Sequence, residues 1–128
     1  MTQLPLSGLR ILIVEDNFFL ATDSMMAIED AGGKVVGPFA TAEEARDALD
    51  ANGADLAIID INLGSGPSFD FARYLDTVGM PFLIASGYDQ AIVPDDLKGI
   101  ARLEKPYSSN ELTSAAARVY EATNAGRR

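Results

Sequence analysis

Short apolar runs alternate with longer segments of helical periodicity along this chain. Five runs are mainly apolar, and the first is continuously so before it ends at polar residues, which is typical of a strand buried on both faces. The predicted strands span 10–14, 34–40, 56–60, 82–86 and 100–104. The intervening patterns predict helices over 18–31, 42–51, 69–76 and 110–123. The interval 88–99 contains Pro94 before two aspartates, so any helix there is expected to be short or broken.

Two helix starts carry capping signals. Asp16 or Asn17 can cap the first helix, and Thr41 begins a T-A-E-E capping box before the second. The apolar residues of the first helix that recur at helical spacing, and are therefore expected to face the core, are Phe18, Leu20, Ala21, Met25, Ile28 and Ala31.

Strands that alternate with helices indicate a parallel sheet covered by helices on both faces. Right-handed crossovers leave few arrangements, and the doubly wound, flavodoxin-like order 2-1-3-4-5 is one of the two common ones. We therefore predict an α/β fold with a five-stranded parallel sheet. A single domain is expected over 1–128, with its core at about 9–123, a short leader and a frayed tail over 124–128.

Composition narrows the class of protein. The 128 residues are 48% hydrophobic and carry a formal charge of −9, which argues against nucleic-acid binding. The absence of cysteine and histidine excludes disulfides, thiolate or imidazole metal sites and histidine bases. The first residues lack a basic start followed by a long apolar core, so a signal peptide is not expected. No apolar stretch approaches the roughly 20 residues that a membrane helix needs. The sequence thus predicts a cytoplasmic protein without nucleic-acid or membrane partners.

Charged residues follow three of the predicted strands. Glu15 and Asp16 come after the first strand, Asp60 ends the third, and Lys105 follows the fifth. In the order 2-1-3-4-5 the first and third strands flank the switch point, so the three carboxylates should share one crevice. They would repel one another unless a cation neutralised them, and Mg²⁺ (or Mn²⁺) takes oxygen ligands. This pattern indicates a metal-assisted phosphoryl acceptor.

Over about 9–123 the chain resembles the receiver domain of response regulators in two-component signalling. The matching features, in chain order, are the acidic pair Glu15-Asp16, the phosphoacceptor position Asp60, the hydroxyl position Ser86 and the Lys-Pro motif Lys105-Pro106. The segment PFLIASGY, residues 81–88, is similar to the PFxFATGY signature of the FAT GUY subgroup, and DINLGSG after the third strand also suits it. Ser86 preserves the hydroxyl of that signature, whereas Leu83-Ile84 departs from it.

The resemblance implies roles for these residues. Asp60 would accept the phosphoryl group, and Asp16 and Asp60 would bind the metal directly, together with the backbone carbonyl of Asn62. Glu15 would act through a metal-bound water, although its longer side chain could instead point into solvent. Lys105 would pair with Asp60 before phosphorylation.

The remaining positions would shape the phosphate site. Ser86 and Lys105 would hold phosphate oxygens, and Gly87 would leave room for the donor histidine. Pro106 would fix its loop through a cis peptide. Arg102 stands where many receivers carry an aromatic switch residue, and a guanidinium cannot enter an apolar pocket without a large desolvation cost.

The function implied is that of a stand-alone receiver, a monomer or weak homodimer. It would take phosphate from a histidine kinase or histidine phosphotransfer protein, then bind an unknown downstream protein or act as a phosphate sink. Self-phosphorylation and autodephosphorylation would be its only enzyme-like activities.

Three alternatives remain. A haloacid-dehalogenase-like phosphatase needs a second aspartate two residues after the first, where this chain has Asn62. A flavodoxin-like electron carrier would face repulsion between its cofactor phosphate and Glu15-Asp16. A phosphorylation-independent interaction module is the third.

Overall fold

The computed structural model describes residues 4–61, 69–87 and 93–126. The strands are β1 Arg10–Val14, β2 Lys34–Phe39, β3 Leu56–Asp60, β4 Phe82–Ser86 and β5 Arg102–Glu104. The helices of the described residues are α1 Phe18–Asp30, α2 Ala42–Asn52, α3 Asp70–Thr77 and α4 Ser109–Gly126. In the interval 93–101 a single 3-10 turn, Asp95–Leu97, precedes β5, as expected for a broken segment.

All strand pairs are parallel, and the sheet order is β2-β1-β3-β4-β5, so the predicted topology is confirmed. The register places Val14, the last residue of β1, opposite Ile59, the penultimate residue of β3. Residues that follow β1 and residues that end β3 therefore emerge side by side at the carboxyl edge of the sheet.

Alternating side chains of β1 show why helices cover both faces. Ile11 and Ile13 pack in one apolar cluster with residues of α1 and α4. Leu12 and Val14 pack in a second cluster with residues of α2 and α3. All five residues of β3 are buried, as the continuously apolar run predicts for a central parallel strand.

The helix caps follow the sequence signals. The Asn17 side chain accepts a hydrogen bond from the Leu20 N–H at 3.0 Å and so caps α1. Thr41 Oγ1 accepts from the Glu44 N–H at 3.2 Å and caps α2. Because Asn17 takes the capping role, Asp16 is left exposed and without that structural function.

The prediction that Phe18 faces the core is wrong. Its side chain is 74% exposed, and that of Phe19 is 76% exposed. Phe18 is the first helical residue after the cap, and β1 ends at Val14, so the first turn of α1 extends past the apolar part of the sheet. The residues of α1 that are buried are Ala21, Ser24, Ala27 and Ile28.

The packed region begins before position 9, contrary to the predicted boundary. Leu6 is fully buried in the α1–α4 cluster, and its N–H donates to the Ala31 carbonyl at 2.9 Å. Gly32 adopts a positive φ of 92°, and a Cβ there would lie 3.1 Å from the Cβ of Leu4. This close approach allows the leader to lie across the end of α1.

Two further boundaries differ from the prediction. Helix α4 continues through Gly126, three residues beyond the predicted end at 123. Strand β5 begins at Arg102 instead of 100 because the Ile100 N–H donates to the Leu97 carbonyl at 3.1 Å and still belongs to the preceding turn. Among the described residues, no helix has the length and apolar character needed to cross a membrane.

Candidate functional site

Three carboxylates meet at the carboxyl edge of the sheet. Glu15, Asp16 and Asp60 each offer one oxygen, and these oxygens all lie within 4.8 Å of one another. Glu15 and Asp60 are both only 7% exposed, whereas Asp16 is open to solvent. The β1–β3 register brings them together, because the acidic pair directly follows the strand that lies beside the end of β3.

Lys105 closes the inner side of this cluster. Its Nζ lies 2.7 Å from Glu15 Oε1 and 2.8 Å from Asp60 Oδ2, as charge-assisted hydrogen bonds do. The Lys105 side chain is itself only 18% exposed. The predicted pairing of Lys105 with Asp60 is therefore confirmed, and the second bond to Glu15 was not foreseen.

The expectation that Glu15 could point into solvent is wrong. Its backbone N–H donates to the Phe39 carbonyl at 2.9 Å, which holds it against β2. Its Oε2 accepts from the Asn17 N–H at 3.1 Å while Oε1 accepts from Lys105. Both carboxylate oxygens are thus engaged inside the pocket.

Burial and neighbouring charges perturb the titration of this pocket. Burial raises the pKa of Glu15, the hydrogen bond from Lys105 partly offsets that rise, and the Asp60 carboxylate adds to it. Burial alone would lower the pKa of Lys105, but its hydrogen bonds to Asp60 and Glu15 outweigh burial and raise the pKa. Lys105 is accordingly a cation at neutral pH.

One ammonium group faces three carboxyl groups here. That imbalance, with every donor an oxygen, suits a hard divalent cation such as Mg²⁺, which also retains waters that phosphate oxygens can replace. Asp16 lies on the exposed side, where a hydrated ion can enter. The residues present therefore fit the metal that the sequence predicted.

Several predicted site residues lie at or beyond the limits of the described chain. Asn62 falls outside it, and so does the side chain of Ser86, whose backbone ends β4 opposite Glu104. Gly87 is exposed, and a Cβ built there would meet nothing within 4 Å. Its φ is outside the left-handed region, so the backbone does not require glycine at this position.

The loop after Lys105 contacts α1. The Lys105–Pro106 peptide is cis, as expected. Tyr107 packs against the α1–α4 cluster, and its hydroxyl lies 3.4 Å from Ser24 Oγ. A hollow of about 200 Å³ lies between α1 and this loop, and its walls include Leu20 and Asp23.

Arg102 is partly buried and pairs with Ile84 in the sheet. It occupies the place where the resemblance puts an aromatic switch residue.

The fold and the solved structures that share it support a response-regulator-like module. No protein-family model and no curated protein matches the chain. Among solved structures, it is similar to SdrG from Sphingomonas melonis Fr1, with 29% identity and a TM-score of 0.75 over 93% of this chain and 98% of that chain. It is also similar to a response regulator receiver protein from Sinorhizobium medicae WSM419, with 27% identity and a TM-score of 0.75 over 90% and 96% of the two chains.

A third likeness, to the response regulator PhyR from Brucella abortus, has 20% identity and a TM-score of 0.82. It covers 98% of this chain but only 53% of PhyR, and at that identity it shows the fold alone. The Sinorhizobium protein is a response regulator receiver, so the predicted resemblance is confirmed. The predicted fold class is confirmed as well. The FAT GUY subgroup stays a prediction.

Proposed function

We propose that this chain is a phosphoryl-accepting receiver module in which Asp60 takes a phosphoryl group from the phosphohistidine of a donor protein. The observation that carries the proposal is that Lys105 donates hydrogen bonds to both Asp60 and Glu15 inside a cluster of three carboxylates. A buried ammonium paired with a single carboxylate would be explained by a contribution to fold stability alone. A buried cation beside surplus carboxylates, at the switch point of a parallel sheet, suits a site that receives a further anion.

In the proposed transfer, an Asp60 carboxylate oxygen attacks phosphorus in line with the donor imidazole. The new O–P bond forms as the P–N bond breaks, and the electron pair of that bond stays on the imidazole nitrogen. A bound Mg²⁺ (or Mn²⁺) would neutralise charge on the phosphoryl oxygens. Lys105, already hydrogen-bonded to Asp60, would donate to a phosphoryl oxygen.

The metal would be held by Asp16 and Asp60 directly, with the backbone carbonyl of Asn62. Glu15 is committed to Lys105 and to the Asn17 N–H, which supports a role through metal-bound water. Ser86 would donate its hydroxyl to a phosphate oxygen, and Gly87 would keep the approach open.

A protein with this site acts as a signalling module rather than a turnover enzyme. Its phosphoryl donor would be a histidine kinase or histidine phosphotransfer protein, and phosphorylation would change its binding to a downstream protein or store phosphate. A stand-alone receiver of the FAT GUY type, active as a monomer or weak homodimer, fits the signature around Ser86.

The test uses acetyl phosphate as the donor and intact mass as the readout. Wild type should gain one phosphoryl group in Mg²⁺ and none in excess chelator, and Asp60→Asn should gain none. Asp47→Asn is the matched control, because Asp47 is an exposed aspartate on α2. Equal labelling of Asp60→Asn, or no labelling of wild type with Mg²⁺, would remove the proposal and favour a phosphorylation-independent module.

A further inference from the structure

Lys105 follows the least supported strand of the sheet. Strand β5 has three residues and, within the described sheet, pairs only with β4 at one edge. Asp60, by contrast, ends a central strand that has a partner on each side. The Glu15 backbone is bonded to β2 through the Phe39 carbonyl. The sheet therefore fixes the carboxylates of the pocket more firmly than it fixes the lysine.

The loop after Lys105 does not pack closely against α1. A hollow of about 200 Å³ lies between them, and Lys105 and Tyr107 both line it. Pro106 and Ser108, on the same loop, are exposed. Packing alone therefore leaves room for the loop to shift, and the Lys105 side chain would move with it.

One polar contact joins the loop to α1. The Tyr107 hydroxyl lies 3.4 Å from Ser24 Oγ, although the two residues are 83 positions apart in the chain. Ser24 is only 5% exposed. Serine is a poorer helix former than alanine, and a buried hydroxyl is costly unless it has a partner. The contact with Tyr107 supplies that partner and accounts for a serine on the buried side of α1.

Helix α1 connects this contact with the acidic pocket. Asn17 caps the helix and donates its backbone N–H to Glu15 Oε2 at 3.1 Å. Ser24 lies about two turns, or roughly 10 Å, further along the same helix. One rigid element thus holds Glu15 at its first turn and the Lys105 loop at its middle. The placement of Lys105 in the pocket therefore depends on the contact at Ser24.

We propose that Ser24 and Tyr107 are positioning residues for the phosphoryl transfer. Their hydroxyl contact holds the loop against α1, and the loop holds the Lys105 ammonium where it bonds Asp60. Without the contact the ammonium spends less time in that place, so an incoming phosphoryl group meets less neutralising charge. This inference deepens the proposed function and rests on it, because the positioning matters only if Asp60 accepts a phosphoryl group.

The position of Lys105 is measured by nuclear magnetic resonance of the lysine ammonium groups in metal-free buffer. The chain has three lysines, and Lys105 is 18% exposed, whereas Lys98 is 57% exposed and Lys34 is open to solvent. The Lys105 ammonium protons should therefore exchange slowest with water. Tyr107→Phe keeps the ring but removes the hydroxyl, so it should shift this signal and speed its exchange about twofold or more. Tyr120→Phe is the matched control, because Tyr120 is partly buried on α4 but does not line the hollow.

The consequence for the reaction is measured by labelling with acetyl phosphate in saturating Mg²⁺. Tyr107→Phe and Ser24→Ala should each slow labelling by about two- to tenfold, the range that one neutral hydrogen bond allows. Because the two hydroxyls act as one contact, the double variant should be no slower than the slower single variant. Ser114→Ala, at an exposed position on α4, should be labelled at the wild-type rate.

A Lys105→Met background separates positioning from ordinary stabilisation. Adding Tyr107→Phe should lower the urea midpoint in either background, as loss of a hydrogen bond does. It should slow labelling only when Lys105 is present, because the effect on the reaction passes through the ammonium. Equal slowing in both backgrounds would overturn the inference, and so would an unchanged Lys105 ammonium signal in Tyr107→Phe.

The inference and the proposed function fail in different ways. If acetyl phosphate labels wild type and Tyr107→Phe at the same rate, the positioning inference alone fails. If acetyl phosphate does not label wild type, the proposed function fails first and the inference falls with it. If only Lys105→Met takes no label, the ammonium signal and the comparison of single with double variants decide the question.

Discussion

Replacing Lys105 by methionine should destabilise the folded protein, because the carboxylates of the pocket then repel one another without a neutralising cation. The variant keeps an unbranched side chain of similar length but removes the ammonium group that forms ion pairs with Glu15 and Asp60. The two carboxylates are nearly inaccessible to water, with side-chain exposures of 6% and 5%. Water therefore cannot replace the lost partner, and the carboxylates are left facing one another and Asp16.

The magnitude follows from the geometry. Two like charges at the 4.8 Å limit of this cluster repel by about 3 kcal/mol at an effective dielectric constant near 20. Breaking a fully buried ion pair costs about 3–5 kcal/mol, and the partial exposure of Lys105 reduces that figure. We expect the free energy of unfolding to fall by about 2–4 kcal/mol at pH 7 in metal-free buffer.

Urea denaturation in chelator measures this difference, with Lys98→Met as the matched control. Lys98 also bonds an aspartate at 2.8 Å, but its side chain is 57% exposed and that of Asp95 is 93% exposed. The control should change stability by no more than about 0.5 kcal/mol. Mg²⁺ should recover more stability in Lys105→Met than in wild type, since the cation then meets no competing ammonium. Equal stabilities of the two variants would refute the reasoning.

Three further outcomes are expected. The Gly87→Leu variant should fold normally, because a Cβ at this position meets nothing within 4 Å. The variant should be labelled more slowly by a phosphorylated kinase, and its labelling by acetyl phosphate should be slowed less. Unchanged rates would show that the donor does not approach Asp60 past this residue. Burial raises the pKa of Glu15 above 4.5, so its carboxyl ionises at a higher pH in the folded protein than in the unfolded chain. The difference in unfolding free energy between wild type and Glu15→Gln, measured in chelator, should therefore fall as the pH rises from about 4.5 to 7. A flat difference in urea titrations would contradict that sign. Leu6→Ala should lower the unfolding free energy by about 2–5 kcal/mol, whereas Leu4→Ala, at an exposed position, should change it little.

The sheet and the acidic cluster could be predicted because parallel strands convert chain order into spatial order. Once Asp60 is placed at the end of one strand and Glu15 just after another, the order 2-1-3-4-5 brings them together without further information. Lys105 could be placed at the same edge of the sheet because it directly follows the end of β5. Only its reach to Glu15 as well as Asp60 depends on side-chain positions that spacing does not reveal.

The exposure of Phe18 shows what helical periodicity omits. Spacing identifies the side of the helix on which a residue lies, but not whether the sheet extends far enough to cover it. The capping signal at Asn17 could have placed Phe18 in the first turn, beyond the end of β1. Leu6 escaped prediction for a related reason, because its burial depends on a tight approach at Gly32 that no local pattern reveals.

The most direct measurement locates the phosphoryl group chemically. Wild type is labelled with acetyl phosphate and Mg²⁺, treated with borohydride to reduce the acyl phosphate, and digested for peptide mass mapping. The account predicts conversion of one aspartate, Asp60, to homoserine, and no conversion when Mg²⁺ is withheld. Conversion at Asp16 or at any other carboxylate, or of none, would contradict it.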